Sequence, residues 1–253
     1  MLKTRVIPTL TLRGGRLVKT RRFGPARDVG DTLKAPMVYD AQLADELVYL
    51  DLDASRDGRS IERVEAAVAR IAGECFLPLT AGGGVRSAGD VRRLLLAGAD
   101  KVAINSAAVE RPGLIGEAAQ RFGTQCIVVA IDVRGDAPGP WRVWTHGGTR
   151  DPGLDAVEWA RTAVAHGAGE ILLTSIDRDG TMTGYDLALI RAVAGAVNVP
   201  VIASGGAGKP QDLVDALRVG GAAAVAAASL FHFTDQSPIK TKAYLRRAGI
   251  AVR

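Results

Sequence analysis

The chain has 253 residues, of which 47% are hydrophobic and 23% are charged, and its formal net charge is +5 at pH 7. This composition excludes an intrinsically disordered chain, and the sequence lacks the roughly 18 consecutive apolar residues of a membrane span. The length favours one large domain. The first residues form no apolar signal region, so the sequence predicts a cytoplasmic protein.

Short β-branched runs alternate with amphipathic stretches along the whole chain, which is the pattern of repeated βα units. The predicted strands are Arg5–Leu10, Glu46–Leu52, Leu77–Ala81, Lys101–Ile104, Cys126–Asp132, Glu170–Thr174, Val201–Ala203 and Ala224–Ala227. The predicted helices are Ile61–Gly73, Ala88–Ala97, Pro112–Phe122, Leu154–His166, Leu187–Ala196 and Gln211–Arg218. Eight units predict an α/β fold, a single (β/α)8 barrel over residues 1–253 with its site at the strand C-termini.

Two similar glycine-rich turns indicate an internal repeat. Each follows a predicted strand and precedes a helix, and Gly83 and Gly206 are separated by 123 residues. The repeat predicts half-barrels of about 1–123 and 124–253, with an anion site in each. Backbone N–H groups in such turns can approach a phosphate closely. The predicted phosphate-binding residues are Gly83, Gly84, Asn105 and Ser106 in one half and Gly205, Gly206, Ala228 and Ser229 in the other. The alternative is that the glycines only form tight turns.

Polar residues at the ends of the strands are the candidates for chemistry at the barrel mouth. They are Asp51, Asp53, Asp132, Thr174, Asp177 and Asp179. Asp132 follows an apolar strand, so we expect it to act as a general acid or base, with capping or a salt bridge as the alternative. The polar segment that starts at Thr174 is expected to bind phosphate or substrate hydroxyls through the backbone groups of Asp179 and Gly180.

The remaining reactive residue types indicate neither a metal nor a cofactor. Cys75 and Cys126 lie in apolar segments without metal-ligand spacing and are predicted to be buried thiols. His146, His166 and His232 are isolated in the sequence, so capping or surface roles are expected. Basic residues gather in the segment Leu12–Asp31 without stacking aromatics, which favours an anionic small molecule over nucleic acid. We expect this segment to be a mobile loop that brings Lys19 over the mouth.

Five stretches carry a resemblance to a known family. They are Ala81-Gly-Gly-Gly-Val, Ala99-Asp-Lys-Val-Ala-Ile-Asn-Ser, Val129-Ala-Ile-Asp, Gly167-Ala-Gly-Glu-Ile-Leu-Leu-Thr-Ser-Ile-Asp-Arg-Asp-Gly-Thr and Ile202-Ala-Ser-Gly-Gly-Ala-Gly. Over essentially the whole chain the sequence resembles the HisF family, the cyclase subunit of imidazole glycerol phosphate synthase. The resemblance implies a HisH-like glutaminase at the strand N-termini, which supplies ammonia to a bisphosphate substrate. It also implies an ammonia gate made of Arg5, Glu46, Lys101 and Glu170, for which plain stabilisation is the alternative.

The sequence departs from this family at one catalytic position. The family has catalytic aspartates at the ends of strands one and five; the second matches Asp132, but Thr11 stands in place of the first. A threonine cannot exchange a proton near neutral pH as a carboxylate does. Together with Gly15-Arg-Leu-Val-Lys-Thr, this resembles a HisF paralogue that accompanies an N-acetyl sugar amidotransferase in making acetamidino sugars for surface polysaccharides. The paralogue is the favoured hypothesis.

Three alternatives stay open at the level of sequence. The chain could be a genuine cyclase in which another residue replaces the missing carboxylate. It could be a non-catalytic subunit that activates the glutaminase and conducts ammonia. It could also be a sugar-phosphate isomerase of the related half-barrel type, although that chemistry needs an acid where Thr11 stands.

Overall fold

The computed structural model describes residues 3–54, 61–135 and 139–253. The strands are β1 (Arg5–Arg13), β2 (Arg16–Thr20), β3 (Ala26–Gly30), β4 (Leu47–Asp51), β5 (Leu79–Gly82), β6 (Lys101–Ile104), β7 (Ile127–Arg134), β8 (Arg142–Trp144), β9 (Glu170–Ser175), β10 (Val201–Ser204) and β11 (Ala224–Ala227). The helices are α1 (Lys34–Ala41), α2 (Glu62–Glu74), α3 (Ala88–Leu96), α4 (Ser106–Glu110), α5 (Gly113–Phe122), α6 (Ala156–Ala165), α7 (Leu187–Ala194), α8 (Pro210–Arg218), α9 (Ser229–Phe233) and α10 (Pro238–Arg247).

In the described part of the chain, eight parallel strands close into a barrel. Their order is β1, β4, β5, β6, β7, β9, β10 and β11, and β11 pairs in parallel with β1 to complete the cylinder. Helices connect consecutive barrel strands on the outside. The predicted (β/α)8 barrel is therefore confirmed, and each predicted strand has a counterpart. The bounds of β6 and β11 are as predicted, whereas the other strands have shifted ends, such as β5, which begins at Leu79 instead of Leu77.

The barrel has two apolar layers because alternate strand residues point inward and outward. The inner layer is made of small and aliphatic side chains: Ile7, Val48, Ala103, Val128, Ala130, Leu172, Ile202, Ala224 and Ala226. A larger cluster fills the space between the strands and the helices. On β1 the same alternation that turns Ile7 inward also turns Arg5, Thr9 and Thr11 inward.

The segment Leu12–Asp31 forms strands where the sequence led us to expect a loop, and its expected mobility stays a prediction. Here β1 continues to Arg13, and β2 and β3 form an antiparallel extension beside it, in which Thr11 is opposite Val18. The turn between β1 and β2 is Gly14-Gly15, a dipeptide that favours tight hairpins. Because the segment is rich in Gly and Arg, we interpreted it as a loop and missed the hairpin indicated by Gly14-Gly15.

The two halves contain matching elements, but one offset does not describe them all. β10 begins 122 residues after β5 and α8 begins 122 after α3, whereas β11 begins 123 after β6 and α9 begins 123 after α4. The predicted pairing of Gly83 with Gly206 is therefore wrong by one position, and Gly83 corresponds to Gly205. One extra residue in the α8–β11 connection accounts for the change.

Several features outside the barrel strands were not predicted. The helices α1, α4, α9 and α10 and the strand β8 lacked a clear periodic signal in the sequence. Cys75 is buried as expected, but Cys126 is partly exposed because it ends a short 3-10 turn before β7. None of the helices in the described ranges has the length and apolar character needed to cross a membrane.

A buried ion pair attaches the last helix to the barrel. Lys242 on α10 donates to Asp45 at 2.6 Å and to the carbonyl of Leu43 at 3.0 Å. The other carboxylate oxygen of Asp45 accepts from the backbone N–H of Val6 at 2.8 Å. Both charged side chains are at least 90% buried.

We expect Lys242→Ala to lower the free energy of unfolding by about 3 kcal/mol, because the carboxylate of Asp45 would stay buried without its cation. Urea denaturation followed by circular dichroism measures this. The matched control is Lys240→Ala, whose exposed pair with Asp235 spans 3.7 Å and should contribute at most about 0.5 kcal/mol. Equal losses for the two variants would contradict the assignment.

Candidate active site at the barrel mouth

A cavity of about 420 Å³ opens at the C-terminal ends of the barrel strands. Its wall contains the residues predicted for the mouth: Thr11, Lys19, Gly83, Gly84, Asn105, Ser106, Asp132, Thr174, Asp179, Gly180, Gly205, Gly206, Ala228 and Ser229. These residues come from both halves of the chain. Thr9 and His146 also line the cavity but were not predicted to.

The two glycine turns have the same construction. Gly83 and Gly205 have positive φ angles of 110° and 88°. A Cβ atom would lie 2.5 Å from the carbonyl oxygen of Asp51 at Gly83 and 2.6 Å from that of Ser175 at Gly205. Each turn therefore passes so close to the neighbouring strand end that only glycine fits.

The helices after these turns are capped by their own carboxylates. Asp90 accepts from the N–H groups of Arg86 and Ser87, and Asp212 accepts from those of Gly208 and Lys209. The sequence did not predict these two carboxylate caps. The N-termini of α3 and α8 therefore already have anionic partners within the chain. The N–H groups left for a ligand belong to the glycine turns and to the starts of α4 and α9.

Asp132 is a carboxylate at the mouth whose pKa is strongly raised by its surroundings. It lies near the end of β7, and one of its oxygens accepts a hydrogen bond of 2.7 Å from the side-chain amide of Asn105. Burial raises the pKa of Asp132 to about 7, the negative charge of Asp179 adds to this, and the Asn105 hydrogen bond opposes it. A carboxyl group that titrates near neutrality can both accept and donate a proton at physiological pH.

Thr11 occupies the corresponding place at the end of β1. Its hydroxyl donates to the carbonyl oxygen of Val18 in the adjoining hairpin. Deeper in the barrel, Thr9 has a buried hydroxyl oxygen for which the described residues offer no hydrogen-bond partner, and the same holds for Ser229 at the start of α9. The inward alternation along β1 was the signal that could have identified Thr9.

Lys19 and Asp179 fix the hairpin over the mouth. The Lys19 ammonium donates to both carboxylate oxygens of Asp179, at 2.6 and 2.7 Å, and the backbone N–H of Arg22 donates to the Asp179 carbonyl at 2.8 Å. Gly180 packs directly against the backbone of Thr20. Asp179 thus contacts the hairpin through its side chain and its backbone carbonyl, and the expected role of its backbone in phosphate binding stays a prediction.

The other candidate residues at the mouth have local roles. Asp51 accepts from the N–H of Asp53 at 2.9 Å, Asp53 accepts from Gly14 at 2.7 Å, and Asp177 accepts from Gly135 at 3.0 Å. Asp53 and Asp177 do not border the cavity. These two carboxylates therefore organise the loops around the mouth.

The histidines differ from one another more than the sequence suggested. His146 donates its backbone N–H to the Ser106 hydroxyl at 3.0 Å and lines the cavity. The expected surface or capping role is wrong for His232, whose ring lies 2.9 Å from the Tyr39 hydroxyl. Burial lowers the pKa of His232 to about 4, so the ring is neutral at physiological pH.

At the opposite end of the barrel, four charged side chains form a closed ring. Arg5 contacts Glu46 at 2.7 Å and Glu170 at 2.6 Å, and Lys101 contacts the same two carboxylates at 2.7 and 2.8 Å. Burial opposes the ionisation of Glu170, but the hydrogen bonds and charges of Arg5 and Lys101 together lower its pKa. The alternating signs let each charge offset the burial of its neighbours.

The fold and the mouth together define a class of protein: a (β/α)8 barrel whose strand ends place a carboxylate of raised pKa in one cavity with two glycine turns. Residues 5–237 match the family model described as "Histidine biosynthesis protein". The chain is 55% identical to the imidazole glycerol phosphate synthase subunit HisF of two Caulobacter vibrioides strains, NA1000/CB15N and ATCC 19089/CIP 103742/CB 15. Each alignment covers 100% of this chain and 97% of the relative. The chain belongs to this family and is HisF-like.

The environment of Asp132 predicts a pH-dependent cost to stability. Its pKa is raised from 3.8 to about 7, so the folded chain keeps a proton that the unfolded chain has lost at pH 4 to 7, and stability falls as the pH rises through this range. We expect Asp132→Asn to remove this loss, so that the variant gains roughly 4 kcal/mol over the native chain between pH 4 and pH 8.

Urea denaturation at pH 4, 6 and 8 measures this difference. Asp235→Asn, at an exposed carboxylate, is the control and should show a difference that does not depend on pH. An Asp132→Asn difference that stays constant from pH 5 to pH 8 would disprove the raised pKa.

Proposed function

We propose that this chain is the ammonia-accepting, cyclase-type barrel subunit of a glutamine amidotransferase complex, and that it acts on a small molecule with two phosphate groups. One observation carries the proposal: Asp132, poised to titrate near neutrality, lies in one cavity with two matching glycine turns. The 55% identical relatives are HisF subunits of imidazole glycerol phosphate synthase, which agrees with this chemistry.

The substrate would extend between the two halves of the mouth. One phosphate would bind the N–H groups of the turn at Gly83 and the start of α4, and the other would bind those of the turn at Gly205 and the start of α9. Backbone N–H groups suit phosphate oxygens, and the cation Arg86 also borders the cavity. The middle of the substrate would then lie beside Asp132.

Asp132 would act as the acid/base group of the reaction. In its ionised form it can accept a proton from a substrate amine or hydroxyl, and in its protonated form it can return the proton to a leaving group. Thr11 can hydrogen-bond to the substrate but cannot share the proton transfer. The role of the family's first catalytic aspartate must therefore fall to another side chain at the mouth.

Ammonia would enter from the other end of the barrel. The ring of Arg5, Glu46, Lys101 and Glu170 lies at the strand N-termini, and apolar side chains fill the interior between the ring and the mouth. An apolar interior favours neutral ammonia over the ammonium ion, which would lose its hydration there. A HisH-like glutaminase docked over the ring is the partner that this route requires.

Thr11 supports a second candidate function. A paralogue that has lost the first catalytic carboxylate could keep the ring and the cavity while it passes ammonia to an N-acetyl sugar amidotransferase. The hydroxyl of Thr11 is engaged with the hairpin through Val18, so it does not replace a carboxylate. This candidate predicts glutaminase activation without cyclase turnover.

The deciding experiment is ammonia-dependent turnover of the HisF bisphosphate substrate by the purified chain. We expect measurable turnover that Asp132→Asn lowers by about 10² to 10⁴, because the acid/base group is removed. Thr11→Asp should raise the rate by restoring a second carboxylate. Asp235→Asn, far from the mouth, is the matched control for loss of one carboxylate.

Two other results would change the conclusion. Turnover that survives Asp132→Asn would rule out Asp132 as the acid/base group. An inactive native chain that gains turnover through Thr11→Asp would favour the paralogue, which a glutaminase-activation assay would then test directly.

A further inference from the structure

Asn105 lies between β6 and α4, a place where an asparagine usually caps the helix. Its side chain does not do so: within the described chain it makes no capping hydrogen bond to α4. The amide nitrogen instead donates to Asp132 Oδ2 at 2.7 Å. The sequence interpretation of Asn105 as a phosphate ligand therefore does not describe its side chain, which serves the carboxyl group.

The other end of the same amide has an unmet requirement. Asn105 Oδ1 is buried, and the described residues provide no hydrogen-bond partner for it. A buried acceptor without a partner is costly, so such an atom needs an explanation. A protonated Asp132 could supply one, because its O–H can donate to Oδ1 once the amide rotates by half a turn about its Cβ–Cγ bond.

We propose that Asn105 is the positioning residue for Asp132 in both of its protonation states. The Nδ2 group donates to the carboxylate, and Oδ1 accepts from the protonated carboxyl. The carboxyl group of Asp132 therefore keeps one orientation while its proton arrives and leaves. This inference deepens the proposed function, since it rests on Asp132 as the acid/base group. It assigns to Asn105 an action through Asp132, not on the substrate.

The second half of the barrel provides an internal comparison. Ala228 precedes α9 as Asn105 precedes α4, with a similar backbone φ of −121° against −123°. The strand beside it, β1, carries Thr11 where β7 carries Asp132. Where the carboxylate is absent the amide is absent too, which is the pattern expected if the amide serves the carboxylate.

Other charged groups around the mouth also influence Asp132. Asp179 raises its pKa through their mutual repulsion, and Lys19 is bound to Asp179. The remaining charged or titratable groups on the cavity wall are Asp51, Arg86, Glu110 and His146. Asn105 is the hydrogen-bond donor to the Asp132 side chain in the described structure. Its charge-assisted bond to the carboxylate is stronger than a neutral bond to the protonated carboxyl, so the loss of Asn105 should raise the pKa of Asp132.

The experiment is a carbon-13 NMR titration of the Asp132 carboxyl in the full chain, with the signal assigned by its loss in Asp132→Asn. We expect Asn105→Ala to raise the pKa of Asp132 by about 1 pH unit, because the donor that favours the ionised form is lost. A pKa that stays the same or falls would overturn the proposal.

Two further variants keep this test decisive. Ala228→Asn adds an amide in the other half and should leave the Asp132 titration unchanged; an equal shift there would overturn the local assignment. Asn105→Ser suits a position before a helix and loses the 2.7 Å contact, so it should shift the pKa upward even if the alanine variant does not fold. Circular dichroism melting verifies folding in each case.

The turnover assay adds a second readout. The limb of the pH–rate profile that belongs to Asp132 should move to higher pH in Asn105→Ala, whereas a purely structural loss would lower the rate without moving it. If the native chain shows no turnover, the proposed function fails, but the NMR titration still decides the role of Asn105. The two failures are therefore distinguishable.

Discussion

The parallel pairing of β1 with β11 is the constraint on which the rest of the molecule depends. It runs from Arg5 opposite Ala224 to Pro8 opposite Ala227 and turns a row of parallel strands into a closed cylinder. Because the strands are parallel, closure gathers all their C-terminal ends around one mouth and all their N-terminal ends around the opposite face. Residues that are far apart in the sequence, such as Thr11 and Asp132, thereby line one cavity.

The two ends of the barrel stabilise buried ionisable groups in different ways. At the N-terminal face two cations and two anions alternate, so each buried charge has partners of opposite sign. At the mouth Asp132 has an amide donor and an anionic neighbour, and it meets the cost of burial by holding a proton up to about pH 7. The first arrangement keeps charges fixed, whereas the second makes one charge exchangeable, which is what proton transfer requires.

The two half-barrels share a backbone plan but differ in chemistry. Both have a glycine turn packed against the end of the neighbouring strand, a carboxylate that caps the following helix, and a short helix at the cavity wall. Yet one half has Asn105 with Asp132 and the other has Ala228 with Thr11. The shared parts are backbone features of the kind that suits phosphate groups, and the differing side chains place Asp132 and its amide donor in one half of the mouth.

The sequence by itself determined the eight barrel strands and six of the helices around them, because hydrophobic periodicity and β-branched runs are local properties. It also indicated the glycine turns and Asp132, since a strand end followed by a glycine or a carboxylate is visible in a few residues. Only the tertiary structure decided that Asp179 binds Lys19, 160 residues away, that the Asn105 amide serves Asp132, and that burial moves the pKa of Asp132 to about 7. Local sequence encodes periodicity and turns, but partners and desolvation arise only when distant strands are brought together.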